Sequence, residues 1–282
     1  MTAFDPRVTP ARPDLAAAHL RAEVEAARYV EGRLQRIAEP VVDLRKAPDL
    51  SLGIETQALH GEGFVVYEED EGWAWGQCER DGYVGYVAAS SLAPAGAAPT
   101  HRVRVLRTHV YPAANMKTAP LMALTFGALV AVAGLDGAWA RTRLGFVHAA
   151  HLEPLEARAA DAVSIAEMFS GVPYLWGGRS SQGLDCSGLA QTALRAAGIE
   201  APRDSDMLAA LGEALPLDTA MAHLQRGDLV FWKGHVGIMR DARMLLHANA
   251  HHMMVVSEPL DEARARIAAN GGGEMTAARR AG

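Results

Sequence analysis

Cysteine is scarce. The 282-residue chain holds two, Cys78 and Cys186. Small secreted scaffolds rely on several disulfides, so two thiols exclude a disulfide framework and fit a reducing compartment. Long apolar runs are also missing. The stretch from Pro120 to Gly134 is interrupted by Thr125 and Gly127 and falls short of the roughly 18 residues of a membrane span. Basic excess is absent: 27 Lys and Arg face 33 Asp and Glu, a net charge of −6. A nucleic-acid binder carries a basic stripe or surplus, so no nucleic-acid partner is expected. No apolar segment of the signal-peptide kind opens the chain, where Asp5, Arg7, Pro10 and Pro13 stand instead. The expected location is cytoplasmic. A Gly-x-Ser-x-Gly elbow, a Walker loop and a His-Glu-x-x-His helix are all lacking.

What is present is ample core material. Half the residues are apolar, enough for one to three domains at roughly 100–200 residues each. Residues 1–39 are rich in Ala, Arg and Glu, and Asp14 is placed to cap a helix over Leu15–Ala27, an N-terminal helical arm. From Val41 the texture turns to short β-forming runs, Phe64–Tyr67, Trp73–Gln77 and Tyr83–Val87, separated by acidic and Gly turns. The pattern then repeats. Gly85-Tyr86-Val87-Ala88-Ala89 with Leu92 recurs as Gly145-Phe146-Val147-His148-Ala149 with Leu152. Two small β-barrels are expected, over 40–95 and 100–153, joined by the Pro- and Ala-rich linker Ala93–Pro99.

Residues 158–282 read as an α+β domain, helices first and antiparallel strands after. Helices are expected over Ala160–Phe169, Ser187–Ala197 (closed by Gly198), Asp206–Leu211 and Pro259–Ala269. Strands are expected over Asp228–Arg240 and Met244–Ala250.

Cys186 stands where a Gly-rich loop meets a helix. The first turn of a helix carries positive partial charge that favours a thiolate, and a thiol at a loop end can face substrate. The N–H of Cys186 could also donate to a developing oxyanion. Cys78 sits in a barrel strand without helix or base and reads as core. Among 11 histidines, His235 and His247 lie on successive strands about a turn centred on Asp241. That centring makes them cross-strand partners about 5 Å apart, a base and the group that fixes its tautomer. His251 and His252 lack Cys or carboxylate neighbours at ligand spacing, so no metal and no cofactor are expected.

These residues resemble the NlpC-type cysteine peptidases of bacterial cell-wall peptides. The likeness covers Tyr174-Leu175-Trp176-Gly177-Gly178, Asp185-Cys186-Ser187-Gly188, Pro202-Arg203-Asp204-Ser205, Gly227-Asp228-Leu229-Val230-Phe231, Gly234-His235-Val236-Gly237-Ile238 and Leu246-His247-Ala248. It implies a trimmed papain-like domain with Cys186 as nucleophile, His235 as general base and His247 as its orienter. With two SH3-like barrels in front, the chain is similar to the dipeptidyl-peptidase VI subgroup. That subgroup cuts between γ-D-Glu and the diamino acid of murein peptides with a free N-terminal L-Ala, in cell-wall recycling. The resemblance further implies a pocket shaped by Tyr174, Asp185, Ser187, Asp204 and Ser205, with Trp176 beside it. Tyr83 of the first barrel is the candidate to close that pocket, and Glu55 an added acidic contact placed by rough position. The implied partner is a murein-derived peptide, with no membrane. Two other readings remain at this point. One is an inert murein-peptide-binding protein, which an intact Cys-His-His set disfavours; the other is a thiol acyltransferase or amidase, which the mass of a trapped thioester would identify.

Overall fold

The structure is a computed structural model that describes residues 4–217 and 224–281. It divides into two compact units, Met1–Glu156 and Ala157–Gly282. Sheet dominates both, and helices are few. Among the described residues no helix is long and apolar enough to cross a membrane.

In the first unit, a five-stranded sheet runs in the order Val84–Ala88, Trp73–Cys78, Gly63–Asp70, Arg33–Ile37 and Leu92–Pro94. Val41–Leu44 and Thr56–Leu59 form a separate two-stranded sheet that shares its core. Alternate residues Phe64 and Val66, with Leu44, Ala74 and Val87, point into a shared core. Gly76 lacks a side chain for a reason: a Cβ there would stand 2.3 Å from the Val65 carbonyl oxygen and 2.6 Å from the Phe64 ring. The second half of the sequence repeat folds alike. Val84–Ala88 leads through a 3₁₀ turn, Ala89–Ser91, into Leu92–Pro94; Gly145–His148 leads through Ala149–His151 into Leu152–Pro154.

The helical arm is a correction. Ala16–Ala17 is a short strand paired in parallel with Tyr29–Val30, followed by a single 3₁₀ turn, Ala18–Leu20. The cause is where the backbone donors go. Ala16 N–H bonds the Arg28 carbonyl at 3.0 Å, Ala17 N–H that of Pro10 at 3.0 Å, and Ala27 N–H that of Pro13 at 3.0 Å. These tertiary bonds replace the i→i−4 ladder, and Leu15, Ala16 and Ala17 are fully buried as a result. Arg12 then lies over the Trp75 ring at 4.4 Å and donates to the Tyr86 hydroxyl at 2.8 Å.

The second unit is α+β. Its antiparallel sheet has six strands in the order Glu213–Leu215, Ala277–Arg280, Leu229–Trp232, His235–Met239, Met244–Asn249 and Met254–Pro259. Helix Ala162–Met168 is capped by Asp161, whose carboxylate accepts from Val163 N–H at 3.0 Å and Ser164 N–H at 3.2 Å. Helix Cys186–Ala196 packs on the sheet and ends in a Schellman pattern. Gly198 sits at φ +87°, its N–H bonding the Arg195 carbonyl and that of Ile199 the Leu194 carbonyl. Helix Leu260–Ala269 follows the last long strand, and Ser205–Leu208 is one short turn rather than the six residues expected. The strand expected over Asp228–Arg240 is two strands: Lys233 and Gly234 form a two-residue hairpin loop between Trp232 and His235, with Gly234 at φ +73°.

Candidate active site

Local sequence sets the stage at Asp185. Its carboxylate caps the helix that Cys186 begins, accepting from Gly188 N–H at 2.6 Å through Oδ1. The same oxygen accepts from the Ser187 hydroxyl at 3.2 Å, and Oδ2 accepts from Gly177 N–H at 2.9 Å. Arg203 then donates to both oxygens, Nη1 at 3.0 Å and Nη2 at 2.6 Å, and adds a bond to the Ser187 hydroxyl at 2.8 Å. Arg203 is 1% exposed and Asp185 is also buried, so this is a largely desolvated two-pronged pair. Gly188 lets the helix approach the Gly178 carbonyl, which a Cβ would meet at 2.2 Å.

Cys186 is 8% exposed, less open than its loop-end position leads one to expect. Burial pushes its thiol up to about 12, and the Asp185 charge adds to this. The backbone N–H groups of Val236 and Ser187 and the charge of Arg203 act the other way without prevailing. The expected thiolate is therefore a protonated thiol at rest: desolvation outweighs the helix N-terminus. The Val236 bond brings strand His235–Met239 to the sulfur.

The two histidines are joined, but not by the register expected. Ile238 stands opposite Leu246 and Met239 opposite Leu245, which sets His247 against Gly237 and His235 two positions along. The turn is centred one residue later than Asp241. A one-residue move of the centre displaces the pair by two, so both side chains stay on one face. Gly237 carries no side chain to intervene; a Cβ there would lie 3.3 Å from that of His247. His235 Nε2 and His247 Nδ1 stand 2.8 Å apart.

Three further residues extend the chain. His247 Nε2 is 2.6 Å from Glu258 Oε1 and 2.9 Å from Asn249 Nδ2. Arg266 donates to both Glu258 oxygens, Nη2 to Oε1 at 2.6 Å and Nη1 to Oε2. Burial pushes Glu258 up, but the bonds from His247 and Arg266 outweigh it and bring the carboxyl down to about 2. Burial pushes His235 down to about 3, helped by the neighbouring His247 and Arg266. His247 is lowered by burial against the pull of Glu258. Both imidazoles are thus neutral beside an ionised carboxylate.

The remaining expected residues divide. Tyr174 lies by the thiol: burial, then the Cys186 and Asp185 charges, raise its phenol. Ser187 and Asp185 belong to the Arg203 cluster. Trp176 is 67% exposed. Asp204 stands at the start of the short helix that Ser205 opens, both half-buried. Glu55 and Tyr83 belong to the first unit. Glu55 is half-buried, while Tyr83, 3% exposed, packs in the barrel core with Ile37, Phe64 and Val87. Sequence reasoning missed Arg203, Asn249, Glu258 and Arg266. The alternation of Val256 and Glu258 along Met254–Pro259 is the signal that could have revealed the third.

The NlpC/P60 family profile matches residues 171–266, and that of the bacterial dipeptidyl-peptidase Sh3 domain matches residues 44–92. A gamma-D-glutamyl-L-lysine dipeptidyl-peptidase of Bacillus cereus is 30% identical over 203 residues, 64% of this chain and 60% of that protein. Dipeptidyl-peptidase 6 of Lysinibacillus sphaericus is 33% identical over 103 residues, 36% of each chain. The alignments thus span less than two thirds of these relatives' length. The crystal structure of an NlpC/P60 family protein from Bacillus cereus superimposes with a TM-score of 0.74 at 22% identity, over 88% of this chain and 99% of that one, a likeness of fold. The chain therefore combines a bacterial dipeptidyl-peptidase Sh3 domain with an NlpC/P60 family domain.

Proposed function

We propose that this protein is a cysteine peptidase that hydrolyses the γ-D-glutamyl–diamino acid bond of short murein peptides bearing a free N-terminal L-Ala, in the recycling of cell-wall peptides. One observation carries the reading: Cys186 starts a helix against the strand of His235, and His235 bonds His247 at 2.8 Å. The sheet-dominated second barrel, 100–153, stands as a duplicate of the first. Relatives named gamma-D-glutamyl-L-lysine dipeptidyl-peptidase and dipeptidyl-peptidase 6 support the choice of substrate class.

The chemistry follows from the protonation states. At rest both thiol and imidazole are neutral, so the proton leaves Cys186 as the sulfur attacks the γ-glutamyl carbonyl carbon. His235 takes it. Backbone N–H groups at the helix start stabilise the oxyanion. Collapse expels the α-amine of the diamino acid, which takes the proton back from His235, and leaves a thioester on Cys186. Water, deprotonated by His235, then attacks the thioester carbonyl, and His235 returns the proton to the departing Cys186 sulfur as L-Ala-D-Glu is released. Tyr174 borders the thiol, and Asp204 and Ser205 contribute to the substrate side. Asp185 has its oxygens occupied by Arg203, Gly177, Gly188 and Ser187, so its main work is to hold the helix start.

The test is direct. Purified protein is incubated with L-Ala-γ-D-Glu-L-Lys, its diaminopimelate counterpart and an N-acetylated copy, and products are weighed. Release of L-Ala-D-Glu from the free peptides, its loss in Cys186→Ala, and resistance of the acetylated copy are expected. No cleavage by the unaltered protein, or cleavage surviving Cys186→Ala, defeats the proposal.

A further inference from the structure

We infer that Glu258, clamped by Arg266, is a positioning residue that selects the tautomer of His247 and through it leaves Nδ1 of His235 bare to act as base. The inference rests on the peptidase reading for its catalytic consequence only; the tautomers are a property of the free protein.

Two neighbours compete for His247 Nε2. Glu258 Oε1, at 2.6 Å, can only accept, so it requires a proton on Nε2. Asn249 Nδ2, at 2.9 Å, can only donate, so it requires a lone pair there. Asn249 cannot turn its oxygen to the ring without losing the His252 backbone N–H, which that oxygen accepts at 2.8 Å. The two demands are incompatible, and one must prevail. Glu258 holds a full charge, fixed by both Arg266 nitrogens, and a charge-assisted bond is roughly twice as strong as a neutral one. Nε2 therefore carries the proton.

Each ring then determines the next. A neutral His247 protonated at Nε2 has a lone pair at Nδ1. That lone pair, 2.8 Å from His235 Nε2, accepts from it. A neutral His235 protonated at Nε2 keeps Nδ1 unprotonated. Without the carboxylate, Asn249 prevails, His247 carries its proton at Nδ1, and His235 must place its own at Nδ1. The nitrogen needed as base is then blocked. The charges that act on His247 are those of Glu258, Arg266 and His252, the last 3.9 Å from Glu258, while Lys233 and His251 line the same pocket. The burial of Glu258 at 9% exposure keeps solvent from substituting for it.

The experiment is ¹⁵N NMR of the imidazoles in free wild type and in Glu258→Leu, which leaves no acceptor at this place, with kcat and KM for the γ-glutamyl tripeptide. Wild type should show His247 and His235 both protonated at Nε2. Glu258→Leu should move both protons to Nδ1. A wrong tautomer in the analogous serine-protease chain costs about 10⁴-fold in kcat. One hydrogen bond further out, a fall of about 10²-fold in kcat is expected, with KM moving less than kcat because Glu258 acts through His247. Wild-type His247 protonated at Nδ1 overturns the inference, and this measurement stands if the variant fails to fold. A variant that keeps the wild-type tautomers overturns it as well, whatever its kcat. If wild type cleaves no peptide, the peptidase reading falls while the tautomers still decide this one.

Discussion

Arg203 grips Asp185 from 18 residues away in sequence, Nη1 on one carboxylate oxygen at 3.0 Å and Nη2 on the other at 2.6 Å. The arginine is almost wholly desolvated, and the carboxylate also caps the helix that begins with Cys186. Two charges removed from water must satisfy one another, and taking one away leaves the other stranded. Arg203→Ala is therefore expected to lower unfolding stability by about 3–5 kcal/mol. Arg203→Lys should recover only part of this, since an ammonium cannot bridge both oxygens in one plane. Urea titration followed by fluorescence gives both values. A loss below about 0.5 kcal/mol in Arg203→Ala, the range of ordinary surface changes, would mean that the pair contributes nothing.

Much of this was readable from the chain, and the misses share a cause. The helices expected near Ala160–Phe169 and Ser187–Ala197, the Gly198 stop and the recurrence of Gly85–Leu92 in Gly145–Leu152 are local signals, and local signals suffice where the backbone satisfies itself nearby. The arm at residues 14–27 fails that condition: helix-forming residues there send their N–H groups to Pro10, Pro13 and Arg28. Within the site, Cys186, His235 and His247 were visible because their segments have clear periodicity. Arg203 and Glu258 were not, because each is defined by a distant partner. Glu258 was doubly hidden. Its strand, Met254–Pro259, follows a turn with Met253 at φ +54°, and without that strand there is no face for Glu258 to share with His247.

Stability should form a dome in pH, with sides set by the site itself. His235 is held near 3, against about 6.5 in an unfolded chain. Below pH 6.5 the unfolded chain takes a proton that the folded one refuses, so stability drops as pH falls from about 6.5 to about 3. Glu258, held near 2 against about 4.3, contributes stability present above pH 4.3 and lost as pH falls through 2. Cys186 sets the other side: raised to about 12 from about 8.5, it costs stability as pH rises above 8.5, where only the unfolded chain ionises. Urea midpoints from pH 3 to pH 10 should therefore peak between about 6.5 and 8.5. His235→Gln should flatten the acid side, and an acid slope that this variant leaves unaltered would remove His235 as its source.

The same thiol makes a kinetic prediction that separates two kinds of cysteine enzyme. Where a thiolate–imidazolium pair is already formed, alkylation is fast and nearly independent of pH from acid to neutral, because the attacking form is always present. Here burial and the Asp185 charge hold the proton on sulfur, and His235 is too weak a base at rest to remove it. Iodoacetamide should therefore label Cys186 slowly at pH 7, and the rate should climb tenfold per pH unit without levelling before about pH 10, the slope of a single ionisation well below its pKa. Peptide mapping distinguishes Cys186 from Cys78, which is 2% exposed in the barrel core. In urea the unfolded thiol should level off near its ordinary 8.5. A flat profile between pH 5 and 8 in the folded protein would show a thiolate already present. Proton transfer would then precede substrate binding, and the attack step would begin from an ion pair rather than from two neutral groups.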